Sequence, residues 1–474
     1  MNKQLLSLAG VAGLLLTSGG CVVGPNYKTP SVPVPSAFKE EPPAGWKDAQ
    51  PNDGVIRGKW WTIYGDPKLG ALEAQVNISN QNVLQAEALY RQAKAAVSVS
   101  RAAQSPTVGT SPSAVNARSA SIGSTGEYSV PFSFSYQIDI WGSIRRTVAA
   151  NSATAQASEA QLENARLLYQ SELATDYFEI QGLDASRQLL EETVKSYEKY
   201  AELTKNRFDG GVASQGDVAL AQTALETARA QLVDLGVQRA QFEHAAAVLV
   251  GKAPAELSIT DTGKQSVPPV IPMAIPSSLL ERRPDIAAAE RQVAASNEQI
   301  GITKAAFYPT LTLGASAGSQ TTSITDLLSW PTRFWSVGPT LAETLFDGGK
   351  RRAQVQSAQA SYDANVANYR QTVLTAFQQV EDGLAQLRIL SNEAEITDRA
   401  VKAAQQSLSI STIQYTGGLA NYLQVITSQT SALQNEHTAV DLLTRRMVAS
   451  VTLIQALGGG WDASQLPSTA ALRH

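Results

Sequence analysis

The 474-residue chain carries the same landmarks twice, and this duplication limits its fold more than any other feature. Arg207-Phe208-Asp209-Gly210-Gly211-Val212-Ala213 corresponds to Gln414-Tyr415-Thr416-Gly417-Gly418-Leu419-Ala420, so Phe208 and Tyr415 stand 207 positions apart. Leu249-Val250-Gly251 and Ala456-Leu457-Gly458 keep the same spacing. Trp141-Gly142-Ser143-Ile144-Arg145-Arg146 answers Asp347-Gly348-Gly349-Lys350-Arg351-Arg352 in the same way. Several anchors at nearly one offset predict a tandem repeat of one supersecondary unit.

Each unit reads helix, strand, strand, long helix, turn, helix. Leu69–Ala103 and Asp285–Phe307 are rich in Ala and Gln and predict helices, each ended by a proline, Pro106 or Pro309. From Arg146 to Phe208 and from Arg352 to Tyr415 there is no proline and little glycine. At 1.5 Å per residue such helices are roughly 90–100 Å long, and few globular cores can use them. Abundant alanine (Ala149, Ala150, Ala153, Ala155, Ala157, Ala160) suits the close approach of a coiled-coil wall. The Gly210-Gly211 and Gly417-Gly418 pairs end these helices, because glycine accepts the left-handed cap conformation. Helices then return from about Gln215 and Asn421, which makes two helical hairpins with tips at Arg207–Asp217 and Tyr415–Thr427.

Between the helices the pattern changes to a period of two. Phe132, Phe134, Tyr136, Ile138 and Ile140 alternate with Ser133, Ser135, Gln137 and Asp139. Leu311, Leu313, Ala315 and Ala317 alternate with Thr310, Thr312, Gly314 and Ser316, and Trp335, Val337 and Leu341 with Ser336, Gly338 and Thr340. This suits strands with one face in lipid and one on a wet lumen, and equally a half-buried soluble sheet. Four strands are expected, near 107–118, 130–141, 310–320 and 334–346. Open sheet edges cannot face lipid, and four strands close no barrel. Cyclic assembly of three copies gives about twelve strands and an open passage.

The N-terminus supplies an address. Lys3, an apolar stretch from Leu5 to Leu16 and small residues up to Gly20 describe a signal peptide, residues 1–20. Cys21, the single cysteine, follows directly and resembles the lipid-acceptor position of bacterial lipoproteins, with Ser18 where that pattern prefers Leu. Val22 rather than Asp follows it, which suggests the outer membrane. One acyl chain anchors only marginally, so several chains or a second membrane element are needed. No later run of apolar residues is long enough to span a bilayer as a helix.

Composition removes other classes. One cysteine and three histidines (His244, His437, His474) leave little for metal or His-based catalysis, and no cofactor is expected beyond the lipid on Cys21. No nucleophile, base and metal ligands share a convergent spacing, so no enzyme is expected. A net charge of −4 gives no nucleic-acid footprint.

Further motifs carry a resemblance. Cys21-Val22-Val23-Gly24-Pro25-Asn26-Tyr27 with Pro30, then Trp60-Trp61, Tyr64, Asp66-Pro67 and Leu69, are similar to landmarks of outer-membrane efflux lipoproteins. So are Arg282-Arg283-Pro284-Asp285-Ile286 with Ala289-Glu290, Ile300-Gly301 and Ala305-Ala306-Phe307-Tyr308-Pro309, and the end Leu457-Gly458-Gly459-Gly460-Trp461. The whole mature chain resembles the TolC-like outer membrane factor family. That resemblance implies a mixed α and β membrane protein, a homotrimer whose 12-stranded barrel continues into a long periplasmic α-helical barrel. It implies a passive exit duct working with a periplasmic adaptor and an inner-membrane transporter of the resistance-nodulation-division type. It also implies an equatorial domain from the lipidated segment 21–60, the connector 252–283 and the tail 459–474, around repeats 61–251 and 284–458. A protein-secretion conduit and a periplasmic coiled-coil adaptor or scaffold lipoprotein are the alternatives.

The resemblance places the gate at the hairpin tips. The apolar constriction residue becomes Leu423, and two positions that carry carboxylates in some relatives become Gln424 and Thr427, so an uncharged constriction is expected. A tip Asp and a tip Tyr are retained as Asp217 and Tyr415, while the family's Arg position is Ala420. Asp217 either pairs with Arg207, ten residues back, or supports the N-terminus of the returning helix. Gly210, Gly211, Gly417 and Gly418 form the tips expected to meet the adaptor. Pro284 and Asp285 read as a helix start, with an anion site at the arginines as the lesser alternative. Arg145-Arg146 and Lys350-Arg351-Arg352 are expected to solvate the strand–helix junction, or else to meet lipid headgroups.

Overall fold

A computed structural model of the protein describes residues 22–41, 43, 58–119, 123–261, 265–271 and 279–473. The expected signal peptide, residues 1–20, and Cys21 lie outside the described residues. After a short turn at Trp60–Tyr64 the first repeat runs α1 (Pro67–Ser79), α2 (Gln81–Ala102), β1 (Thr107–Thr110), β2 (Ser113–Ser119), β3 (Gly123–Ile138), α3 (Ser143–Asp209) and α4 (Gln215–Leu249). A single helical turn, Leu279–Arg282, precedes the second. That repeat runs α5 (Pro284–Ala305), β4 (Thr310–Thr321), β5 (Arg333–Ala342), α6 (Lys350–Thr416) and α7 (Tyr422–Ala456). Both long helices have 67 residues and both returning helices 35, so the duplication extends to element length.

The expected strand 334–346 runs from Arg333 to Ala342, and three other boundaries differ from the expectation, each for a local reason. The expected helix 69–103 breaks at Asn80, whose side chain accepts from the backbone N–H groups of Asn82 and Val83 and caps a new helix. The expected strand 107–118 is two pieces on either side of Ser111-Pro112, since proline has no N–H to give. Strand β3 spans 123–138 rather than 130–141, because its first residues, rich in Gly and Ser, hide the alternation that pairing enforces.

The strands form one antiparallel sheet in the order β1-β3-β4-β5, with β2 also on β3. Phe132 pairs with Ala317 and Ala317 with Trp335, so most large apolar residues of the strands share one face, Val115 and Phe334 lying on the other. Phe132, Trp335, Val337 and Leu341 are exposed there in the single chain. The opposite face carries mostly Ser, Thr, Gly and Gln, and Glu127 is its one ionisable side chain among the described strand residues. β1 and β5 are open edges, so the sheet is a segment of a barrel that more copies must close.

The long helices leave the sheet at Asp139 and Asp347. The Asp139 carboxylate accepts from the N–H groups of Ile144 and Arg145, and Asp347 from those of Gly349 and Arg351. Each carboxylate also pairs with an arginine of its own helix, Arg145 or Arg351. The acid thereby offsets the unfavourable placement of cations at a helix N-terminus. Arg146 corrects the expectation of a solvated junction: it is buried and ion-pairs with Glu298 at 2.6 Å.

Across the wall, α4 packs on α3, α3 on α7 and α7 on α6, which leaves α4 and α6 as flanks. A Cβ on Gly182 of α3 would sit 2.1 Å from Thr444 Oγ1 of α7, so only glycine allows this crossing. The main core lies midway down the long helices, around Trp60, Tyr177, Phe178, Ile286, Val380, Leu384, Leu442 and Leu453. Arg282-Arg283-Pro284-Asp285 is the expected helix start, with Pro284 first. The Arg283 guanidinium donates to Asp285, Gln379 Oε1 and the Ala456 carbonyl, so it is spent on structure rather than on an anion.

Candidate functional site at the helical tips

Both hairpins turn by the same backbone device. The second glycine of each pair, Gly211 or Gly418, has φ +75°, where a side chain is strained. The Val212 N–H donates to the Arg207 carbonyl and the Leu419 N–H to that of Gln414, both at 2.8 Å, closing the last turn as a Schellman cap.

Asp217 does not pair with Arg207. Its carboxylate accepts from the N–H and hydroxyl of Ser214, while Ser214 Oγ accepts from the Asp217 N–H at 3.1 Å. This reciprocal box caps α4, the second of the two roles open at Asp217. The spacing Ser214-x-x-Asp217 carries that signal in the sequence. At the equivalent place Asn421 caps α7 by accepting from the Gln424 N–H.

Arg207 instead crosses to the other hairpin. Its Nη1 donates to the Tyr415 carbonyl at 2.7 Å, and its guanidinium lies 4.6 Å from the centre of the Tyr415 ring. Thr204 and Tyr415 share a hydroxyl hydrogen bond at 3.1 Å, and Tyr200 and Thr412 one at 2.9 Å. Tyr415 and Tyr422 are both buried, with ring centres 5.7 Å apart beside Ala221 and Val425. Burial raises the Tyr422 phenol above its ordinary range, so it stays neutral. The sequence offered Arg207 only as a partner for Asp217 and did not mark Thr204 or Tyr200, because no local pattern signals a contact across about 210 residues.

The remaining expected gate residues are exposed in the single chain. Leu423 is 54% exposed. Gln424 is exposed and its Nε2 donates to Gln414 Oε1 at 3.1 Å, while Thr427 donates to the Leu423 carbonyl at 2.7 Å. Neither carries charge, so the tip surface around Leu423 is apolar and amide in character. Above it, a cavity of about 520 Å³ opens between α3, α4 and α7, lined by Tyr197, Leu220, Leu235, Ile426, Leu433 and His437.

Comparison with known proteins decides the family. The outer membrane efflux protein family matches residues 73–252 and 275–459. The chain belongs to that family. It is 30% identical to the toluene efflux pump outer membrane protein TtgC of Pseudomonas putida over 472 residues, 97% of this chain and 96% of that one. It is 30% identical to outer membrane protein OprJ of Pseudomonas aeruginosa, covering 96% of each chain. Its structure is similar to that of the outer-membrane channel OprN, with a TM-score of 0.85 and 26% identity over 93% of this chain and all of that one. The protein is therefore an outer-membrane efflux duct, with its sheet in the outer membrane and its helices in the periplasm. The expected fold class holds with it: a duplicated protomer of a trimeric 12-stranded barrel continuous with a helical one.

Proposed function

We propose that the duct belongs to a tripartite pump and that its hairpin tips are the periplasmic gate. The observation that carries this reading is the cross-hairpin contact of Arg207 with Tyr415, which ties the two tips of one protomer together. Leu423, with Gln424 and Thr427 beside it, forms an uncharged constriction, and Asp217 and Tyr415 hold the two tips in shape. Gly210, Gly211, Gly417 and Gly418 present the turns to a periplasmic adaptor, below which sits an inner-membrane transporter of the resistance-nodulation-division type. The repeats 61–251 and 284–458 form barrel and wall, and the segments 21–60, 252–283 and 459–474 a collar around the main core.

Exposed apolar seams on the flanks support closure by copies of the same chain. Val233, Val237 and Val248 are exposed on α4, and Ile389, Ile396 and Ile410 on α6 at heptad spacing. In a head-to-tail ring, α4 of one copy covers α6 of the next. Leu423→Ser is expected to raise single-channel conductance in planar bilayers without disturbing assembly. Unchanged conductance would remove Leu423 from the constriction.

Lipid on Cys21 completes the reading. Val22 packs on Gly142, and the Val23 N–H donates to the Trp141 carbonyl at 3.1 Å. Trp141 stacks on Tyr308, ring centres 4.6 Å apart, at the helix end of the sheet, where an aromatic belt suits the membrane interface. Val22 and Val23 are thus held at the helix end of the sheet, the end that meets the inner leaflet. Growth with radiolabelled palmitate should label the wild type and not Cys21→Ser. Equal labelling would locate the anchor elsewhere.

A further inference from the structure

Three described strand residues are ionisable besides tyrosine, and their faces differ by sign. Glu127 has the parity of the lumen residues Ser129 and Ser133. Arg118 pairs with Ser124, and Arg333 with Ser319, which pairs with Val130, so both arginines share the parity of Phe132 and face outward. Outward charge is costly in hydrocarbon and favourable where anionic headgroups begin.

Arg333 stands one outward-facing position beyond Trp335, which with Val337 and Leu341 forms the lipid-facing column of β5. It marks the outer end of that column, because the helices leave the sheet at its other end. Its guanidinium lies 4.3 Å from the centre of the Trp330 ring, and among the described residues no carboxylate ion-pairs with it. Trp330 is 77% exposed, and Ile324 and Leu328 of the same β4–β5 connection are exposed as well. An indole that holds one face of a guanidinium leaves its N–H fork free for a planar or tetrahedral oxyanion. The apolar residues beside it continue the surface that already meets acyl chains.

We propose that Arg333 and Trp330 form a binding site for the phosphate headgroup of a phosphorylated glycolipid of the outer leaflet, one site per protomer. Arg333 donates to the phosphate oxygens, Trp330 orients the guanidinium, and Ile324 and Leu328 contact the first segments of the acyl chains. The site rests on the sheet's placement in the outer membrane and not on the gate, so each can fail without the other. Arg118 provides a control of equal charge. It lies six residues farther along the sheet than Arg333, roughly 20 Å at strand rise, beyond reach of the same headgroup.

The test is native mass spectrometry of the full trimer, titrated with bisphosphorylated lipid A and with the same lipid after phosphatase treatment. The wild type is expected to prefer the phosphorylated lipid by about tenfold, the range of a charge-assisted contact. Arg333→Gln should abolish that preference, Trp330→Leu should reduce it, and Arg118→Gln should leave it intact. Arg333→Lys, which keeps charge and loses the fork, should fall between, and it serves if Arg333→Gln fails to assemble. A preference that survives Arg333→Gln, or that Arg118→Gln abolishes equally, would overturn the site, as would equal binding of both lipids by the wild type.

Discussion

Replacing Arg207 with alanine is expected to open the periplasmic end of the duct, and by more than any single change at Leu423. The variant loses a charge-assisted hydrogen bond to the Tyr415 carbonyl and a cation held against the Tyr415 ring. The first is worth about 1.5–3 kcal/mol and the second about 0.5–2 kcal/mol. A loss of about 3 kcal/mol shifts a closed–open equilibrium by roughly a hundredfold per protomer. Conductance and open probability in planar bilayers should both rise, and cells should become sensitive to large antibiotics that the closed duct excludes. Arg207→Lys keeps the charge and one donor but not the planar stacking, so it should open the duct less. Asp217→Ala makes the contrast, because its carboxylate caps only its own helix. That variant should cost about 0.5–2 kcal/mol of local helix stability and leave the cross-hairpin contact in place. If Asp217→Ala opened the duct and Arg207→Ala did not, the latch would lie elsewhere.

Removing the carboxyl of Glu73 is expected to stabilise the protein and flatten its pH dependence. Glu73 is fully buried in α1, and among the described residues neither of its carboxyl oxygens has a hydrogen-bond partner. Burial pushes its pKa well above the ordinary range, so the folded chain holds a proton that the unfolded chain releases. The sign follows directly. Any stability tied to this proton is fully present below the unfolded pKa, about 4.3, and declines as pH rises toward the folded value. The slope is about 1.4 kcal/mol per pH unit within that window. Glu73→Gln removes the titration, and Glu73→Leu also removes the unsatisfied polar atoms, worth about 1–3 kcal/mol. The thermal midpoint of the wild-type trimer should therefore fall between pH 5 and pH 7 relative to both variants. Parallel curves across that range would show that Glu73 does not govern it.

The two predictions differ in how visible their residues are in the sequence. Glu73 interrupts an apolar helix face formed by Leu69, Leu72 and Val76, so periodicity alone marks it as a conflict. Arg207 lies at the end of a polar helical stretch and carries no local mark. Its partner belongs to the other repeat, 208 positions away.

The same division runs through the whole molecule. Features set by neighbours along the chain were determined by the sequence itself. The repeat offset, the long uninterrupted helices, the Gly-Gly turns, the Pro284 helix start and the alternation of the strands all follow from backbone preference and side-chain periodicity. The strand count with its two open edges also required more than one copy, because unpaired backbone cannot face lipid. Features set by contacts between distant segments were decided only by the tertiary structure. The Arg146 ion pair with Glu298, the hydrogen bond from the Asn80 side chain to the Leu249 carbonyl at the end of α4, and the Arg207 contact with Tyr415 are of this kind. The physical reason is the reach of the interactions. Propensity and periodicity act within a few residues, whereas a guanidinium takes whichever carbonyl, carboxylate or ring the fold brings within about 4 Å.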